Sequence, residues 1–132
     1  MLRRVMLVVV CGVLILTTVA VMVLAWNWMQ LNNLPEPANV VSEVESVLVV
    51  GESTPQDVRE IIVQDDWHGA WCGTVSETGV LYCEVPIRPM RNSQFSIFEY
   101  LIGFASMNMG FEVTFDEGVL VGVEHEIRYR YV

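Results

Sequence analysis

The chain contains no lysine. All seven of its basic residues are arginine, and only five of these lie beyond residue 35, where all sixteen acids sit. Five arginines against sixteen acids leave that part of the chain at −11. A surface so acidic repels nucleic acid and anionic lipid headgroups beyond its immediate contacts. Nucleic-acid binding is excluded on this ground, and the acidity is read as a means of solubility. Residues 5–35 carry no charge of either sign. The sequence also has no phosphate-binding loop, haem attachment motif, nucleophile elbow, internal repeat or low-complexity tract. Cysteine is scarce, with three in 132 residues.

The uncharged stretch is the dominant feature. Residues 5–25 are almost all Val, Leu, Ile, Met and Ala, broken only by Cys11, Gly12, Thr17 and Thr18. At ~1.5 Å per residue, about 21 such residues span ~30 Å, the hydrocarbon thickness of a bilayer. The expectation is one membrane-spanning helix over residues 5–29. Arg3 and Arg4 precede it, whereas the next basic residue after it is Arg59. The positive-inside rule therefore puts the N-terminus in the cytoplasm and the remainder in the periplasm or outside the cell. Trp26 and Trp28 stand where an aromatic belt belongs. A cleaved leader is the competing reading, with Val23-Leu24-Ala25 as the cleavable stretch. Its apolar core is expected to be shorter, 7–15 residues. A lipid anchor at Cys11 needs a small residue before the Cys, and Val10 occupies that place.

Residues 30–38 contain Pro35 and Pro37 and read as a stiff extended spacer. Residues 39–132 then form one small α+β domain. Apolar residues at 40, 41, 44, 47 and 48 give helical spacing over 39–50, stopped by Gly51. Thr54, Pro55 and Asp57 are a helix cap, a first-turn proline and the third residue of a capping box. The second helix should run to about residue 64. A hairpin follows, with strands near 70–75 and 80–85 around Ser76-Glu77-Thr78-Gly79. Counting outward from that loop places Cys72 opposite Cys83, within disulfide reach. Phe111, Val113 and Phe115 alternate with polar residues, and Asp116-Glu117-Gly118 turns the chain into a last strand.

Two segments resemble the SmpA/OmlA (BamE-like) envelope domain. Val50-Gly51-Glu52-Ser53-Thr54-Pro55-Gln56-Asp57-Val58 is similar to that family's Gly-x-Ser/Thr entry into its second helix. Phe115-Asp116-Glu117-Gly118-Val119-Leu120 is similar to its Phe-Asp/Asn…Gly-Val-Leu hairpin. The resemblance implies a two-helix, three-strand domain over about residues 40–130 and a non-catalytic role in binding other envelope proteins. The spanning helix replaces the lipid anchor usual in that family, and the Gly-x-Pro that commonly ends its second helix is absent.

No catalytic set emerges. Reduced, Cys72 and Cys83 could join His68 and His125 as zinc ligands, but the spacing fits no familiar finger. A disulfide with two ordinary histidines is the simpler reading, so no metal and no cofactor is expected. Asp65-Asp66 reads as solvated charge, and Glu124 and Glu126 as surface partners of Arg128. Trp67 and Trp71 are candidate walls of a ligand pocket. Phe95, Phe98, Tyr100, Leu101, Phe104, Met107 and Met109 form an apolar stretch that is either core or an exposed binding patch. The functional expectation is a single-pass interaction module, a scaffold or assembly factor, held on the bilayer by residues 5–29. Its partner would be another envelope or integral membrane protein. The alternative is an accessory subunit whose anchor packs within a larger membrane complex.

Overall fold

The computed structural model describes residues 1–64, 66–89, 97–103 and 105–131. The chain begins with one long helix, α1 (Leu2–Asn33), whose most apolar 18-residue window has a mean hydropathy of 3.0. None of its residues is buried within the chain. It is long and apolar enough to cross a membrane. Thr17 and Thr18 donate to the carbonyls four residues back, at 2.6 and 2.8 Å, so neither hydroxyl is left bare on the helix.

Two short helices follow, α2 (Pro37–Val47) and α3 (Pro55–Ile62). The spacer expected over 30–38 is not extended. Residues 30–33 continue α1, and Pro37 opens α2, leaving residues 34–36 between the two helices. The physical reason is that proline at the first helical position forfeits no hydrogen bond and presets φ. It therefore starts a helix as readily as it stiffens a loop. Leu31 also packs against the core, which rewards carrying α1 onward.

α3 begins as its residues dictate. The Thr54 side chain accepts from the Asp57 N–H, and the Asp57 carboxylate accepts from the Thr54 N–H at 2.8 Å. α2 buries Val40 and Val44, and α3 buries Val58 and Ile62. Between them, Gly51 and Ser53 tie the chain to the last strand. The Gly51 N–H donates to the Leu120 carbonyl and the Leu120 N–H to the Ser53 carbonyl, both at 2.8 Å.

The sheet is an antiparallel meander in chain order, β1 (Trp71–Cys72), β2 (Val80–Pro86), β3 (Ala105–Asp116) and β4 (Val119–Tyr131). A fourth helix, α4 (Ile97–Leu101), precedes β3. Successive strand residues face opposite sides, and the register sorts them cleanly. One row runs Leu81, Val113, Val123; the next Cys83, Phe111, His125; the next Val85, Met109, Ile127. Apart from the exposed His125, these rows, with Met107 and Ala105, meet α2 and α3 in one core. The opposite face carries Tyr82, Glu84, Asn108, Gly110, Glu112, Glu124, Glu126, Arg128 and Arg130.

β3 and β4 meet in a two-residue turn at Glu117 and Gly118, with φ of 51° and 81°. Such a turn matches the twist of the flanking strands and favours glycine at its second position. The hairpin between β1 and β2 closes as expected, though β1 is only two residues long. Cys72 pairs with Cys83 in the sheet register and the two form a disulfide.

Candidate functional site

The disulfide takes both sulfurs out of the zinc alternative. Among the described residues, no three His, Cys, Asp or Glu side chains gather closely enough to hold a metal ion. Trp67 and Trp71 do not wall a pocket together. Trp67 is buried in the core, while Trp71 lies half-exposed against the edge of Tyr82, with ring centroids 5.8 Å apart. Asp65 lies outside the described residues.

The apolar stretch divides. Tyr100, Met107 and Met109 are buried in the core and supply no exposed patch. The reason lies in the alternation of β3: Ala105, Met107, Met109, Phe111 and Val113 all fall on its core side. Leu101 is half-buried and Phe98 is exposed on α4. Phe95 and Phe104 lie outside the described residues. Arg3, Arg4, Trp26 and Trp28 are exposed on α1.

Three arrangements remain that were not visible in the sequence, apart from the expected pairing of Arg128 with Glu126 in the second. The first is the joint between α1 and the domain. The Asn27 amide donates to the Leu101 carbonyl at 2.6 Å. The Arg88 guanidinium donates to the Asn32 carbonyl at 2.6 Å and meets Glu36 at 3.2 Å. The Arg88 N–H donates to the Pro35 carbonyl at 2.9 Å. One arginine of the segment after β2 thus binds both the last turn of α1 and the connection to α2. An orphan carbonyl at a helix C-terminus is a natural acceptor for a cation.

The second is the polar face of the sheet. Glu84 is only 2% exposed, and its Oε2 accepts from Arg130 at 2.8 Å. A buried carboxylate needs such a partner. Arg128 stacks over the Tyr82 ring, 4.7 Å from its centroid, and donates to Glu126 at 2.6 Å. Gly110 makes this possible. A Cβ there would stand 2.8 Å from the Tyr82 hydroxyl. Of this arrangement the pairing of Arg128 with Glu126 was expected from the sequence; the further signal was Glu84, a lone charge inside an apolar strand.

Burial pushes the Tyr82 phenol above its ordinary value near 10, and the Glu84 carboxylate adds to this; Arg128 and Arg130 pull the other way. The unfolded chain therefore loses this proton first. Its contribution to stability is intact below pH ~10 and falls as pH rises toward the folded value. Urea unfolding of the intact protein and of Tyr82→Phe, compared between about pH 9 and about pH 11, should give a shallower loss in the variant. Equal slopes would show that Tyr82 titrates as it does in the unfolded chain. Among the described residues the buried hydroxyl has no hydrogen-bond partner, so its removal should cost little at neutral pH.

The third arrangement is a groove of about 640 Å³ between α2 and the sheet. Ala38, Val41 and Ser42 form one wall, and Met109, His125 and Ile127 the other. β4, thirteen residues long, is the outer strand beside it. The groove is mostly apolar with a polar rim, a composition suited to holding side chains rather than to carrying out chemistry. No protein-family model, curated protein or solved structure matches this chain.

Proposed function

We propose that the chain is a non-catalytic, single-pass membrane protein of the cell envelope whose outer domain binds an extended segment of another envelope protein. α1 spans the inner (cytoplasmic) membrane with Arg3 and Arg4 in the cytoplasm. The domain stands in the periplasm or outside the cell, where its disulfide is stable. The observation that carries the binding role is β4, a long outer strand lying along the α2 groove. A strand added to β4 gains main-chain hydrogen bonds, and alternate side chains enter the groove. The resemblance to the SmpA/OmlA domain points to the same class of role, a scaffold or assembly factor.

A second reading rests on a different observation. No residue of α1 is buried within the chain, and from residue 2 to residue 23 every one is exposed and open to other helices. On that reading the protein is an accessory subunit whose anchor packs among the helices of a larger complex.

Affinity capture from gently solubilised native membranes separates the two. The bait is used in three forms: the intact chain, Ser42→Trp, and a chain with residues 5–25 exchanged for an unrelated spanning helix. Ser42 is exposed on α2 at the groove wall, so tryptophan there fills the groove and spares the core. The module reading expects the exchanged chain to keep its partner and Ser42→Trp to lose most of it. Full retention by Ser42→Trp removes the groove from the account. Loss on helix exchange alone transfers the function to α1 and to the subunit reading.

A further inference from the structure

We infer that α4 is a second membrane contact, an interfacial wedge that seats the domain on the lipid surface beside its own anchor. This rests on the reading of α1 as a bilayer-spanning helix. α4 is a helix of five residues, and its sides differ sharply. Tyr100 turns into the core, whereas Ile97, Phe98 and the following Ile102 are 51%, 58% and 45% exposed. At 100° per residue, positions 97, 98, 101 and 102 fall on one side of the helix axis. Three large apolar side chains on so short an element form an exposed patch of a kind a solvated surface avoids.

The height of α4 fits that surface. Leu101 accepts a hydrogen bond from Asn27, which lies between Trp26 and Trp28. Asn27 is two residues past the apolar run, so α4 meets α1 only ~3 Å beyond the hydrocarbon boundary. Both tryptophans are exposed, as an interfacial belt requires. α4 therefore extends the same belt sideways. Side chains buried ~5–10 Å into the headgroup and acyl boundary are typical of such helices.

The chemistry selects an apolar mode of contact. The domain is strongly acidic and the chain has no lysine. Attraction to anionic headgroups cannot drive the contact, so insertion of Ile97, Phe98 and Ile102 must. Binding should be indifferent to salt and to lipid charge.

The test uses the full chain reconstituted in neutral phosphatidylcholine vesicles containing spin-labelled lipid. In a Cys11→Ala background, an environment-sensitive fluorophore is attached at Phe98→Cys or, as a control, at Val121→Cys. Val121 is exposed at the opposite end of the sheet, next to the β3–β4 turn. A third sample carries the fluorophore on native Cys11. Quencher near the headgroups should dim the label at 98 severalfold more than the label at 121, with no change on adding salt. Equal quenching at 98 and 121, with deep quencher dimming the Cys11 label, overturns the wedge and leaves the anchor standing. A Cys11 label that deep quencher leaves bright overturns the anchor itself. A label at 98 that is bright in vesicles yet shielded in native membranes assigns the patch to a protein and also overturns the wedge. The label at 98 replaces a side chain outside the core, so folding is spared.

Discussion

Phe111→Ala should cost about 3–5 kcal/mol. Among the described residues, Phe111 is the largest side chain in the core that is fully buried. It sits in the middle of β3, flanked by Cys83 on one side and His125 on the other. Its removal leaves a cavity in the row that joins sheet and disulfide, and strands fixed on both sides cannot collapse to fill it. Domains of this size hold only about 5–15 kcal/mol in total. Urea unfolding of the full chain in a mild detergent, followed by tryptophan fluorescence, reads the loss directly, because Trp67 is buried in the same core. Phe111→Leu keeps most of the volume and should cost less than about 1.5 kcal/mol. Alanine and leucine variants of equal stability would mean that the core is not centred there.

The disulfide is next in size. Cys72 and Cys83 are eleven residues apart, and closing so short a loop contributes about 3 kcal/mol in the chain-entropy model. β1 is held to the sheet by two residue pairs only, and one of them is the disulfide pair. The double variant Cys72→Ala/Cys83→Ala should therefore lower Tm by more than about 10 °C for a domain of this length. It should also release β1 before the rest of the sheet. Treatment with a thiol reductant should lower the Tm of the native chain to nearly that of the double variant and leave the variant unmoved. A native Tm that does not respond to reductant would show that the β1–β2 hairpin holds without the bond. The same dependence ties folding to an oxidising compartment.

Both effects concern features whose residues could be read in advance to different degrees. The disulfide was legible because a tight turn fixes the register of a hairpin, and a register fixes which cysteines oppose. The start of α3 was legible because Thr54, Pro55 and Asp57 satisfy its orphan N–H groups with no help from elsewhere. The apolar helix was legible because charge is so costly in a bilayer that its absence over thirty residues is itself a signal.

β3 was harder. Its core side begins at Ala105, but Ala, Met, Asn and Gly have weak strand preference, so the alternation was evident only from Phe111 onward. Met107 and Met109 were thus grouped with the apolar residues before them rather than with the sheet. The groove, the Arg88 joint and the Glu84–Arg130 pair were beyond reach for another reason. Each joins residues far apart in the chain. Arg88 meets Asn32 across 56 positions and Arg130 meets Glu84 across 46. No local pattern encodes such a meeting; it follows only once the meander has brought the strands together.

The Arg88 joint has a mechanical meaning. With Asn32, Pro35 and Glu36 bonded to Arg88, and Asn27 bonded to α4, the domain is bolted to its mast rather than tethered to it. β4 runs ~40 Å from that joint to its far turn. On the proposed reading of α1 as a bilayer-spanning anchor, a change in helix tilt of about 10° with bilayer thickness swings the turn through ~7 Å. The anchor is then a lever. Membrane thickness becomes a coordinate that positions the outer strand relative to whatever stands beside it.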